Sequence, residues 1–440
     1  MSEPTVAIDP HNPRRMAVAG NPYLEPARIQ ISVSKDGGQN WSAGMTVVPP
    51  GQKKSYDPQL GFAADGSLLV TGGASSDTRS GCQRASQIFI AALHGNQFSY
   101  HVLATASAGA LLDRPTLLAA PNHQQLLLVA WTASSGPGAE CSLRPVRSTT
   151  QVGLLTAQLD LRTLMTLPRV AQAPFGSALA VSGDGVLGLA VAGRDGIDGV
   201  TVGVYQSVDG AHWRFSRAGS ARAEPDELTG LGGAVLSMPS IAGLPHGFAV
   251  AWTDTTSGTQ RTHIARNDTG GWEELAAPPA RGTRLLPTLA VADQALVLIQ
   301  AGLSPAGLTF YTWQQLGPVW SSLGVDRGGS AADVQELGEL LGLAVSADSS
   351  RLTAVPVEVA GSSALLVKTQ TPSPAATSPP SPRVTSPPAP PVKGPHAVAA
   401  QPQPGDPHTG TMVLVGLGAS FLLLLAVSGA RARRRHRHHQ

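Results

Sequence analysis

The chain has 440 residues with 49 Gly, 36 Pro and only 14% charged residues, a composition that suits many short strands joined by tight turns and excludes a fold of long helices. Its net charge of +2 is not a nucleic-acid footprint: five Arg lie in the last ten residues, and Arg383 and Lys393 stand in a proline-rich tract. Residues 1–370 are left with 24 Lys and Arg against 28 Asp and Glu. The two cysteines form no CxxC or Cys/His cluster, so no metal and no cofactor is expected.

From the first residues onward, an apolar segment that starts at a proline recurs. The copies are EPTVAIDP at Glu3, DPQLGFAADG at Asp57, RPTLLAAPN at Arg114, APFGSALAVSGDG at Ala173, MPSIAGLP at Met238 and LPTLAVAD at Leu286. ELLGLAVSAD at Glu339 is a seventh copy without the proline. Successive prolines lie 54, 57, 59, 65 and 48 residues apart, a period typical of propellers and solenoids. Each copy turns at a polar cluster such as AADG or SGDG into a second apolar strand (SLLVTGG, LLLVAWT, FAVAWTD). A third (RIQISVS, QIFIAAL, GVTVGVYQS) and a short fourth strand that opens on an aromatic residue follow. Four antiparallel strands repeated about seven times predict an all-β β-propeller over residues 1–370, with seven blades favoured over six.

The turn between the third and fourth strands carries a motif. SVSKDGGQNW (Ser34, Asp36, Gly38, Trp41) and QSVDGAHW (Ser207, Asp209, Gly210, Trp213) resemble the Asp-box, or BNR repeat, of sialidases and related propellers. NDTGGW (Asp268, Gly270, Trp272) is a partial copy, and HGNQF and GPVW keep only the glycine and the aromatic. The chemistry of the box is structural: Ser34 and Asp36 donate and accept hydrogen bonds within a tight turn, Gly37 and Gly38 permit positive φ, and Trp41 packs over the hairpin. A catalytic or metal role for these aspartates is the rival reading.

Antiparallel alternation puts the boxes on the face that holds the turns between first and second strands. The opposite face, where each first strand begins, is here termed the leading face. The resemblance implies a ligand site there, near the central axis. The residues expected on it are Glu3, Asp57, Arg114, Trp131, Arg194, Trp252 and Asp254. Trp131 and Trp252 occupy equivalent AWT positions, read as blade packing or as a sugar-stacking platform. Asp57 and Arg114 are read as ligand contacts or as a strand-capping or inter-blade pair. Cys82 and Cys141 fall in loops of consecutive blades on this face and are expected to form a disulfide clamp, with free buried thiols as the alternative.

Membership among active sialidases would further imply an Arg triad, a Tyr nucleophile with a supporting Glu, and an Asp acid/base. The expected (F/Y)RIP motif is absent; Arg114, Arg194 and Arg284 are the triad candidates, Tyr56 the nucleophile candidate and Asp57 a further catalytic candidate.

Residues 371–410 hold 13 prolines and almost no large apolar side chain, which predicts an extended stalk. Residues 411–430 (TMVLVGLGASFLLLLAVSGA) carry no charge and match the length of a membrane-spanning helix, and the Arg-rich residues 431–440 predict a cytoplasmic tail. The ectodomain is then extracellular and monomeric, with a carbohydrate or surface-protein partner. DPHTG, Asp406 to Gly410, resembles the LPxTG wall-sorting signal but has Asp406 where Leu is expected, which favours membrane anchoring. No export signal precedes the first strand, and the seventh repeat yields only three strands before the stalk. Residues upstream of Met1 are expected to supply both the signal and the missing strand.

Overall fold

The computed structural model describes residues 2–370 and 412–415, apart from residue 269 and segments 22–26, 78–85, 121–125, 137–146, 169–172, 196–198, 223–237, 255–260, 280–282, 305–306, 328–340, 347–348 and 360–361. The described residues form seven four-stranded antiparallel sheets, one per sequence repeat, so the choice between six and seven blades falls to seven. The inner strands are Ser2–Asp9, Lys54–Phe62, Ala110–Ala120, Ala173–Val181, Ser240–Gly243, Thr283–Ala292 and Gly342–Val345. Each touches the next around the ring, and the seventh touches the first.

The blades are radial, so their middle strands are covered on both sides, while outer strands meet water. Leu68–Ser75 is buried at every position, whereas Leu161–Thr166 on the rim of blade 3 is almost wholly exposed. This is why second strands read as continuous apolar runs and not as alternating ones. Apolar clusters fill each blade boundary. Ile29 and Ile31 of blade 1 pack on Val70 and Phe89 of blade 2, and Ile88 and Ile90 of blade 2 pack on Val129 and Trp131 of blade 3. At the last boundary Leu352, Leu365 and Val367 of blade 7 meet Val6, Met16 and Val18 of blade 1. The ring therefore closes by side-chain burial between complete blades, at about 1.5–3 kcal/mol per fully buried aliphatic side chain.

The fourth strand of blade 7 comes from the C-terminal side: Met412–Val415 pairs antiparallel with the blade's third strand, Lys368 opposite Met412 and Leu365 opposite Val415. The exposed edge of that third strand offers unpaired N–H and C=O groups, and MVLV is a short apolar, partly β-branched segment suited to capping it. These four residues were expected to open the membrane helix. Among the described residues no helix is long and apolar enough to cross a membrane. The stalk, the sorting-like DPHTG, residues 416–430 and the basic tail lie outside the described residues, as do Cys82 and Cys141.

Candidate functional site

The two faces are fixed by contacts between turns. On the box face, the N–H of Gly37 in the first box donates to the Arg14 carbonyl near the start of the second strand (2.7 Å). On the leading face, the Ser148 hydroxyl, at the start of a third strand, donates to the carbonyl of Pro174 in the next inner strand (2.7 Å).

Two boxes form a shared hydrogen-bonded turn. In the first, the buried Ser34 hydroxyl donates to Asp36 (2.8 Å) and accepts from the Gly38 N–H (2.8 Å). Asp36 accepts the Asn40 backbone and side-chain N–H groups (2.9 and 2.7 Å), and the Trp41 indole N–H closes the turn on the Gly38 carbonyl (3.1 Å). The second box is one residue shorter between Ser and Trp yet keeps the scheme. Gly210 N–H donates to Ser207 (2.9 Å), Ala211 and His212 N–H donate to Asp209 (both 2.8 Å), and Trp213 donates to the Gly210 carbonyl (3.1 Å). Donation from Asn40, led by its backbone N–H, pulls the Asp36 carboxyl down to about 2. The His212 side chain and then its backbone N–H lower Asp209 further. Every lone pair so used serves the turn, which leaves the aspartates a structural part.

The partial copy behaves differently. Arg266 stands where Ser would, two residues before Asp268, and the side-chain oxygen of Asn267 accepts the Phe248 N–H at the start of the neighbouring second strand (2.7 Å). Asp268 sits 3.4 Å from Arg266. Trp272 reaches to Ser216 of blade 4 (3.0 Å) and not to its own glycine. In HGNQF and GPVW the box has shrunk to a two-residue hairpin with Gly95 and Gly317 at positive φ.

On the leading face the backbone itself is unusual. Glu3, Asp57, Arg114 and Leu286, each immediately before a proline, adopt φ of 52, 52, 53 and 52°. Each sits at an irregularity in the ladder between the first two strands of its blade. Residues before proline favour extended backbone, and a left-handed conformation there stores on the order of 1–3 kcal/mol. The consequence is geometric. The bulge lets the chain start on the leading face and turn its pre-proline side chain toward the axis.

Glu3, Asp57 and Arg114 meet there with Pro58, Gln59, Pro115, Ser177 and Met238 around a small axial pocket that draws on blades 1 to 5. The Arg114 N–H donates to Asp57 Oδ2 (3.1 Å), and Glu3 accepts from the Asn21 side-chain amide (2.6 Å). Ser177 is buried, and its hydroxyl has no protein partner among the described residues. Met238 fits because residue 176 is glycine: a Cβ there would stand 1.9 Å from the Met238 sulfur. Asp57 and Arg114 thus form an inter-blade pair and line the pocket at once.

The remaining candidates separate. Trp131 is fully buried, with its N–H on Gln151 (2.8 Å), and Trp252 is 3% exposed, so neither ring offers a face to a sugar. The stacking platform is corrected to blade packing, because second strands are covered by both neighbouring blades. Tyr56 is buried, with its ring against Gly73, and its hydroxyl makes no hydrogen bond among the described residues. Burial, then the charges of Asp113 and Asp57, raise its pKa well above the ordinary tyrosine value. A nucleophilic phenolate requires the opposite. Arg114 lines the axial pocket. Arg194 ends the second strand of blade 4 opposite Val200, and Arg284 lies opposite Gly302 in blade 6. Asp254 is on the leading face but away from the axis, accepting the Arg222 N–H (2.7 Å) at the boundary of blades 4 and 5. Gln59, Ser177 and Met238 were not singled out from sequence; their one signal is position, at or just after the proline start of an inner strand.

No family model and no curated protein matches the sequence. Several solved structures align with this chain at low identity. An α-L-arabinofuranosidase from Fusarium graminearum is 14% identical, with a TM-score of 0.44 over 73% of this chain and 92% of that one. An acylaminoacyl peptidase from Pyrococcus horikoshii is 11% identical, with a TM-score of 0.47 over 84% of this chain and 52% of that one. A six-bladed, fucose-recognising lectin from Aleuria aurantia is 10% identical, with a TM-score of 0.40 over 70% of this chain and 89% of that one. An arabinofuranosidase, a peptidase and a lectin share no chemistry, and at these scores the likeness carries no argument; the seven four-stranded sheets themselves define this chain as a seven-bladed β-propeller.

Proposed function

We propose that this chain is a sialidase-like propeller that binds a carbohydrate at the axis of its leading face and is displayed at a cell surface. The observation that carries the reading is the axial pocket, where two carboxylates, a guanidinium, an amide and a buried hydroxyl converge from four consecutive blades on strained backbone. The free volume between these side chains is about 20 Å³, so a group the size of one hydroxyl enters, and the mixed donors and acceptors suit the edge of a hydroxyl-rich ligand. The sialidase-like assignment is supported by the two complete boxes at Ser34 and Ser207, and binding is favoured over hydrolysis by the neutral, buried phenol of Tyr56. The second reading is an exo-acting glycosidase, favoured by the presence of Glu3 and Asp57 in one pocket beside Arg114.

Display follows from the C-terminal composition: residues 371–410 as a stalk, 411–430 as the membrane anchor and 431–440 inside. A span of about 20 residues is needed to cross a bilayer, so using the whole apolar run as an anchor and using Met412–Val415 as a blade strand exclude one another. The test is a glycan array run beside a panel of fluorogenic glycosides that includes a sialoside. Array binding with no product release is the expected result; release that Arg114→Ala abolishes would establish the glycosidase instead.

A further inference from the structure

A second cleft lies on the leading face, away from the axis, at the boundary of blades 4 and 5. We propose that it is a separate binding site for a neutral saccharide. Its volume is about 380 Å³, within the range of small-molecule sites. It is lined by Asp195, Arg217, Ser220 and Arg222 of blade 4 and by Asp254 of blade 5, over a floor of Val200 and Ala221.

The cleft is built, not incidental. Asp195 is held by the Thr201 hydroxyl (3.0 Å), and Asp254 accepts the Arg222 N–H through one oxygen (2.7 Å) while the other lies 3.4 Å from His263 Nε2. His263 is fixed in turn by Glu274 at Nδ1 (2.7 Å) and lies flat on Trp252, with ring centroids 5.4 Å apart and planes at 12°. Trp252 donates to the Ser220 carbonyl (3.3 Å), and residue 219 has to be glycine: a Cβ there would sit 2.4 Å from the indole. The rigid wall between the blades is a reason for affinity, since little ordering is left for the ligand to impose.

The chemistry of the lining selects the ligand. Two guanidinium groups donate, two carboxylates accept, and the Ser220 hydroxyl does both. An anion would face Asp195 and Asp254, and a cation would face Arg217 and Arg222. A neutral polyol meets donors and acceptors alike, because each of its hydroxyls donates and accepts. Among the described residues the lining has no exposed aromatic face, so these residues grip a sugar by its hydroxyl edge.

The inference does not rest on the axial reading, and its test keeps the two apart. The full chain is titrated calorimetrically with the methyl glycosides of glucose, galactose, mannose and N-acetylglucosamine, and with a methyl sialoside as the anionic comparison. At least one neutral glycoside is expected to bind. Arg217→Ala and Ser220→Phe, both at exposed positions, are expected to weaken it by about tenfold or more, the scale of one hydrogen bond to a charged group. Their thermal unfolding should match the parent, and Lys35→Ala, at an exposed position on the box face, should bind as the parent does. The proposal is overturned if no neutral glycoside binds, if only the sialoside binds, if Arg217→Ala and Ser220→Phe leave affinity unchanged, or if Arg114→Ala alone removes binding.

Discussion

The two faces of the propeller use backbone and polar side chains in opposite ways. On the box face, Ser34, Asp36 and Asn40 spend their hydrogen bonds on their own turn, and blade 4 repeats the scheme around Ser207 and Asp209 one residue shorter. On the leading face the pre-proline bulges repeat, but the residues mounted on them do not: glutamate, aspartate, arginine and leucine share one φ. Repetition marks what the fold needs, and function is to be sought where equivalent positions differ. The lesson extends to the eroded boxes. Blade 5 lost the serine and Trp272 found a partner in blade 4, so a box is dispensable wherever another contact takes over the closure of the hairpin.

That contrast can be broken by substitution, because box-face and core changes should lower stability alone, and leading-face changes should alter binding alone. The largest effect is expected for Trp131→Ala. Removing a fully buried indole from the boundary of blades 2 and 3 should lower unfolding free energy by about 3–5 kcal/mol, read from urea denaturation. Folded protein that binds less tightly would reinstate the ring as a ligand platform. Gly38→Ala comes next. Its φ is 85°, and a Cβ would lie 2.3 Å from the Thr369 methyl of blade 7, so a loss of about 2 kcal/mol is expected with binding intact.

Arg114 permits a finer comparison between two variants that both lack the side chain. Glycine tolerates positive φ where alanine does not, so Arg114→Gly should be more stable than Arg114→Ala by about 1 kcal/mol, while both lose axial binding. Equal stability would mean that the bulge carries no strain. The smallest effect concerns acid. The Asp36 carboxyl is held at about 2 in the folded chain by Asn40 and Ser34, against about 3.9 in an unfolded one. Its contribution is complete above the unfolded value and disappears as pH falls through about 2. Asp36→Asn should therefore flatten the fall in urea midpoint between about pH 4 and 2.

Much of the scaffold was legible because it repeats. Proline-started apolar segments gave the inner strands, and Ser34 to Trp41 marked one side of the ring. The blade count and the assignment of faces followed from that spacing and from antiparallel alternation. Less was legible where a residue's meaning depends on what lies across a blade boundary. The AWT motifs place Trp131 and Trp252 near strand ends, but burial is set by flanking blades that the local pattern does not contain. Ser177 and Met238 join Glu3, Asp57 and Arg114 only through ring closure, across more than a hundred residues of chain. The four-residue MVLV segment is apolar enough for a helix and β-prone enough for an edge strand, and local periodicity does not separate these in so short a run.

The most direct test sets one residue of each face against the other. Ser34→Ala removes a buried hydroxyl that organises the first box, and Arg114→Ala removes the axial guanidinium. With both full-length variants folded, their dissociation constants are measured for a glycan that the parent binds at the axis. Ser34→Ala should unfold more easily, by about 1–2 kcal/mol, yet retain the parent affinity, and Arg114→Ala should unfold like the parent and lose binding. The reverse pattern, with affinity following Ser34 and not Arg114, would contradict the division of labour between the faces.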